Sequence, residues 1–303
     1  MLAAAVLLTY QSESRIAWWL AIPLAACVCN LLAAIVTNGA FRRQPPLLVF
    51  HVALLALTVL LAAGRLTYLK GKVEVVEGGA FEGELADVEA GPWHTNRLHQ
   101  VTFVNAGFSI DYAPGVRRGA TRNTLRYADE DGIQRQAVIG DNQPLVVHGY
   151  RFYTSFNKGF APIFRWQPKD GSEASIGAVH LPAYPLHEYE QAKEWILPGT
   201  RTPAWVMLQF TEKIIDPEKS DRFKIPKDHT VVLRVGDQRW ELRPGQSAEL
   251  SGGRIEYDSL RTWMGYNVFY DWTLSWLLAA CLTAVGALAT HFWVKLSAKP
   301  WNA

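Results

Sequence analysis

Three stretches without a formal charge constrain what this chain can fold into: Ala17 to Thr37, Pro46 to Gly64 and Trp272 to Val294. A helix rises 1.5 Å per residue, so about 20 apolar residues cross the ~30 Å hydrocarbon core of a bilayer. Each stretch reaches that length. Between the second and third lies a block, Arg65 to Asp271, that holds almost all of the acidic and basic side chains. The expected architecture is a membrane protein with three transmembrane α-helices plus a large exported all-β, sandwich-like domain. Its divisions are a short apolar N-terminal segment at 1–15, a first span at 16–38, a cytoplasmic loop at 39–45 and a second span at 46–64. The β-domain follows at 65–271, then a third span at 272–294 and a cytoplasmic tail at 295–303. Met1 to Tyr10 is apolar but too short to span, and it lacks the basic start and small-residue cleavage site of a signal peptide.

Basic residues beside the spans predict the orientation. The first two spans are joined by Phe41-Arg42-Arg43-Gln44-Pro45-Pro46, and Lys295 and Lys299 follow the third. Short basic loops stay cytoplasmic, so both places are expected inside and the large domain outside. Arg15 and Arg65, on the outer side, weaken the bias slightly. In a bacterium this is an inner-membrane, multi-pass protein with a periplasmic domain.

A net charge of +2 gives no basic stripe for nucleic acid, which is excluded as a partner. Of 12 tryptophans, Trp18, Trp19, Trp272, Trp276 and Trp293 stand at span ends, where amphipathic rings favour the headgroup region. The lipid bilayer is thus the first partner. Cys27, Cys29 and Cys281 all fall in spans, and no CxxCH occurs, so the chain does not itself carry a c-type haem. Cys27 and Cys29 are about 200° apart around a helix, which disfavours a disulfide between them.

The polar block reads as strands. Gln100 to Asp111 partly alternates, and Trp205 to Ile215 puts Val206, Leu208 and Phe210 on one face. Thr230–Val235 and Gln238–Leu242 flank Gly236-Asp237 as a hairpin with a two-residue turn. Only Tyr184 to Ala192 suggests a turn or two of helix.

Polar side chains inside a span are costly, which makes them functional candidates. His51 and His291 both fall in the cytoplasmic third of the bilayer, about 6–8 Å deep by helical rise. Two imidazoles at one depth on different helices can ligate a single haem iron axially. The competing reading places each in a wet interfacial belt with no ligand. The remaining histidines have no metal-site spacing: His94 and His99, His180 and His187, His148 and His229 are expected to be structural. No GxSxG, HExxH, Walker or dinucleotide fingerprint occurs, so nothing argues for a self-sufficient enzyme. Two aromatic runs remain, YRFYTSFNKGFAP from Tyr150 and LRTWMGYNVFYD from Leu260. Tyr150, Phe152, Tyr153, Asn157, Lys158, Phe160, Trp263 and Tyr266 are expected at a partner interface. A β-domain resting on headgroups would use the same composition.

Those two runs, with LLVFHVALLAL opening the second span, resemble the ResB/CcsB family of cytochrome c maturation proteins. The resemblance extends from about Ile16 to Val294 and is closest to the shorter members; larger ones begin with a further span. It implies a subunit that works with a CcsA-like membrane protein to move haem outward for attachment to apocytochrome c. The family's histidine at the start of the corresponding span is implicated as a haem ligand, and that role carries over to His51 alone. His291 rests on the depth argument only. No tryptophan-rich haem segment of the CcsA kind occurs, so thioether formation falls to the partner. Two other classes stay open: a b-haem electron-transfer subunit ligated by His51 and His291, and a scaffold that never touches haem.

Overall fold

The computed structural model describes residues 2–11, 18–95, 97–129 and 131–297. Arg15 and Lys299, two of the charges that bear on orientation, lie outside the described residues. The helices are α1 (Leu2–Gln11), α2 (Trp18–Thr37), α3 (Gly39–Arg43), α4 (Pro45–Thr67) and α5 (Leu274–Ser297). The strands, in chain order, are β1 (Leu69–Val76), β2 (Ala80–Phe81), β3 (Ala86–Ala90), β4 (Phe103–Ala113), β5 (Arg117–Ala128), β6 (Gln134–Ile139), β7 (Leu145–Val147), β8 (Tyr150–Pro168), β9 (Ser175–Ala178), β10 (Ala192–Ile196), β11 (Pro203–Gln209), β12 (Asp221–Arg222), β13 (Thr230–Val235), β14 (Gln238–Leu242), β15 (Ser247–Leu250) and β16 (Gly253–Tyr270). They form two compact units: Met1–Gly71, Asp87–Asn96 and Phe269–Ala303 in one, Lys72–Ala86 and Arg97–Val268 in the other.

In the helical unit α4 packs against both α2 and α5, and α1 packs on α2. A side chain at Gly64 would put its Cβ 2.8 Å from Thr273 Oγ1, so the end of α4 closely approaches the residues that lead into α5. Leu66 packs on Ala21, which brings the start of α2 to the same end. α2, α4 and α5 are long and apolar enough to cross a membrane. Their outer faces show Ile22, Val36, Leu278, Leu282 and Val285, all more than half exposed, as lipid-facing side chains must be. A polar rim closes the shared end. Arg65 reaches Glu89 at 3.5 Å and lies 4.7 Å over the Tyr68 ring, and the Tyr68 hydroxyl donates to Glu89. Burial, with the nearby Glu89 carboxylate, holds the Tyr68 phenol well above its ordinary pKa. Trp272 Nε1–H donates to Thr67 Oγ1 at 2.9 Å, and Trp18 meets Trp93 edge-on at 5.8 Å.

The second unit is built from antiparallel sheets. One carries β1, β16, β8 and β7 in that order, with β15 on β16 and β9 on β8. A second runs β10-β11-β13-β14, and a third β12-β4-β5-β6 with β2 on β4. The predicted hairpin is β13–β14, closed at Val235↔Gln238 with Gly236 at φ +58. Instead of a helix, Tyr184 to Glu190 makes turns with one i→i−4 bond, His187 N to Ala183 O at 2.8 Å, because Pro185 interrupts helical pairing.

β8 and β16 do not alternate where they are most aromatic. Lys158 to Phe164 and Thr262 to Tyr266 are buried at every residue, as in a strand covered on both faces. Phe160, Phe164 and Tyr257 join a core with Val206, Leu208, Val231, Leu233 and Ile110. Phe81, Phe103, Phe152 and Tyr266 form a second aromatic group with ring separations of 5.1 to 5.5 Å. Beside it a buried polar chain is fully paired. Tyr266 Oη donates to Asn123 Oδ1 at 2.7 Å, Asn123 Nδ2 to Asn105 Oδ1 at 2.8 Å, and Asn105 Nδ2 to Val75 O at 2.9 Å.

This burial corrects the expected interface. Tyr150, Phe152 and Phe160 are fully buried, and Trp263, Tyr266 and Lys158 are at most 3% exposed. Such residues cannot meet a partner unless the domain opens. The sequence runs are aromatic because two sheets close over them. Only Tyr153 and Asn157 of the eight reach the surface.

Candidate functional site

α4 starts abruptly because Pro45 and Pro46 occupy its first turn, where a missing N–H costs nothing. Nearly two turns in, His51 Nδ1 lies 2.7 Å from Leu47 O. A carbonyl oxygen can only accept, so Nδ1 carries a proton, and in the neutral ring Nε2 is then the nitrogen that keeps its lone pair. Nε2 has no hydrogen-bond partner among the described residues. The ring packs on Phe41 of α3 at 4.2 Å and on Phe50 at 5.2 Å, and it is half-buried. α3 starts at Asn38, whose side chain caps it by accepting from Ala40 N at 3.0 Å.

The donor set fits haem iron. A backbone carbonyl that takes the Nδ1 proton fixes tautomer and ring orientation, the usual second layer behind a metal-binding imidazole. The adjacent Phe41 and Phe50 rings suit an apolar macrocycle. Among the described residues no three His, Cys, Asp or Glu side chains converge.

His291 lies at the same end of the bundle, half-buried, with its ring 5.5 Å from that of Phe292. By helical rise the two histidines stand at different distances from the close approach of α4 to α5. Counted from the approach of Gly64 to Thr273, His51 lies 13 residues along α4, about 20 Å, and His291 lies 18 residues along α5, about 27 Å. An offset of about 7 Å between packed helices is a poor arrangement for two axial ligands of one iron.

Of the other histidines, His180, His229 and His94 have hydrogen-bond partners within the fold. His180 Nδ1–H donates to Glu74 Oε2 at 3.0 Å and the ring stacks on Trp263, and this hydrogen bond holds the Glu74 carboxyl below the usual carboxylate range. His229 Nδ1–H donates to Pro226 O, and Nε2 accepts from Tyr257 Oη at 2.8 Å. His148, at φ +49 with Gly149 at +81, makes the two-residue turn between β7 and β8. His94 Nδ1–H donates to Thr67 O at 2.8 Å.

Lys158, expected at an interface, is instead buried beside Arg118. Burial and the Arg118 charge lower its ammonium pKa to about 8. Arg118 Nη2 binds Asp141 at 2.9 Å, and Thr154 Oγ1 donates to the same oxygen at 2.9 Å. Burial alone would raise the Asp141 carboxyl, but these two partners keep it below its ordinary value. Sequence reading missed this group because its members sit on three separate strands and loops. The one available signal was a lysine inside an otherwise aromatic run.

No curated protein matches the chain. The model of the ResB-like family matches residues 35–297, which take in α4, the β-sheets and α5. That span covers most of the chain, and the chain belongs to the ResB-like family, associated with cytochrome c biogenesis.

Proposed function

We propose that this protein is the haem-transporting subunit of a cytochrome c maturation complex in a bacterial inner membrane. In this reading haem is cargo, and His51 Nε2 is its axial ligand near the cytoplasmic face. The β-domain stands in the periplasm, beside a CcsA-like haem-handling partner that forms the thioether bonds to apocytochrome c. The observation that carries the reading is the His51–Leu47 hydrogen bond, which takes up Nδ1 and leaves Nε2 as the ring nitrogen free for a ligand, with the Phe41 and Phe50 rings packed nearby. The protein's own contribution is to bind and orient: α4 fixes the ring, and Phe41 and Phe50 keep water from the ligand face. His291 is left out as a partner ligand because of its axial offset, which also disfavours the permanent di-histidine b-haem reading.

The test is co-purification with the partner and an absorbance spectrum. His51→Ala is expected to lose most of the haem band and to lower c-type cytochromes at least tenfold in cells, with protein level unchanged. His291→Ala is expected to keep both. Normal cytochrome levels with His51→Ala would leave the scaffold reading in its place.

A further inference from the structure

Asp87–Asn96 belongs to the helical unit, although the residues before and after it belong to the other. Hydrogen bonds to backbone carbonyls strap this segment across the end of α4. Gly91 N–H donates to Tyr68 O at 2.9 Å, Trp93 N–H to Leu66 O at 2.8 Å, and His94 Nδ1–H to Thr67 O at 2.8 Å. The approach requires a glycine, because a Cβ on Gly91 would stand 2.2 Å from Leu66 O, against backbone that cannot yield. Arg65 and Tyr68 both engage Glu89, so this acid of the strap is already paired.

These bonds fix the strap at a definite height. α4 has 23 residues, about 34 Å by helical rise against ~30 Å of hydrocarbon, so Leu66 stands at the edge of the apolar layer. Leu66 packs on Ala21, within a turn of Trp18 at the start of α2. Trp93 meets Trp18 edge-on at 5.8 Å, and Trp272 is hydrogen-bonded to Thr67. All three indoles are partly exposed: Trp93 at 60%, Trp18 at 43% and Trp272 at 46%. Water is a poor medium for that much ring surface at one level. The boundary of a bilayer accepts both the apolar body of an indole and its N–H. Trp18 and Trp272 adjoin spans in the sequence, whereas Trp93 reaches their level only through the fold.

We propose that the strap is an interfacial membrane segment, in which Trp93 places its ring among the headgroups and upper acyl chains of the leaflet at this end of the bundle. Lipid is the occupant because the patch continues the surface of the spans themselves. Residues 65–271, read from the sequence as one water-exposed block, thus enter the bilayer within the block as well as adjoin it at the two span junctions. The proposal rests on the helices crossing a bilayer and is independent of the haem-handling reading. It is tested on the full-length protein with Cys27, Cys29 and Cys281 changed to Ser, reconstituted into phosphatidylcholine vesicles. A nitroxide is attached at Trp93→Cys, at Leu278→Cys in α5, or at Ile133→Cys just before β6, where the native side chains are 60%, 63% and 56% exposed. Power-saturation spectra compare access to oxygen, which concentrates in lipid, with access to a water-soluble nickel chelate. The oxygen-to-nickel ratio at 93 is expected to be about threefold or more above that at 133 and to fall below that at 278. A ratio at 93 equal to that at 133, with 278 high, overturns the proposal alone, and it is the result a protein-docking patch would give. A low ratio at 278 as well overturns the spans on which it rests. Trp93→Phe, with the native cysteines kept, guards against a label that disturbs the strap. It should lower the share of tryptophan emission quenched by phosphatidylcholine brominated near the headgroup end of its acyl chain, and an unchanged share overturns the proposal.

Discussion

A histidine in a membrane span is ambiguous until its proton is located. For His51 the Leu47 carbonyl resolves this, since its 2.7 Å hydrogen bond assigns a proton to Nδ1 and makes Nε2 the nitrogen left for a ligand. The residue type and its place were legible in the chain. The tautomer was not, although it follows from helical geometry that carbonyl i−4 lies within reach. Lys158 went the other way. As a charge in an aromatic run it suggested a surface, and folding buried it. Its pKa of about 8, against an ordinary 10.5, has a definite sign. Between those values the unfolded chain holds more protons than the native one, so stability rises with pH from about 8 to 10.5 and is flat below. Lys158→Met removes the buried cation, and we expect it to raise the unfolding midpoint at pH 7 by a few degrees, on the order of 1–3 kcal/mol. The same variant should abolish the rise of stability between pH 8 and 10.5. Thermal scans of both proteins across that range would measure it, and a lower midpoint for the variant would show that the ammonium is stabilising.

At the scale of elements, β8 and β16 explain why the family-like runs look as they do. Both are long, adjacent, and buried on both faces at their centres, so their aromatic residues fill cores and do not mark a docking patch. Their glycines permit the close approach. A Cβ on Gly265 would fall 2.7 Å from Ser155 Oγ and 2.9 Å from the carbonyl oxygen of Asn157. Backbone cannot yield as a side-chain tip can. Gly265→Ala is therefore expected to cost about 1–3 kcal/mol, seen as a lower denaturation midpoint and faster proteolysis of the β-domain. Strand periodicity found the β13–β14 hairpin because its turn is local. It failed on β8 and β16, where burial on both sides erases the alternation that a one-sided strand shows.

For the molecule as a whole, the basic residues Arg43 and Lys295 lie at one end of the helical bundle, and the Arg65–Glu89–Tyr68 rim at the other. The positive-inside rule predicts that the rim faces outward. Protease added to intact spheroplasts should accordingly digest residues 72–268, while a tag placed after Ala303 stays protected until the cells are lysed. Digestion of the tag first would invert the orientation and with it the depth assigned to His51. The three spans, the β-class of the intervening block and the candidate imidazole are properties of local composition, since bilayer thickness and side-chain transfer energy act on contiguous residues. Which aromatics are core, and that Lys158 lies buried beside Arg118, depend on strands far apart in the chain. Those are outcomes of long-range packing, and only the tertiary structure decided them.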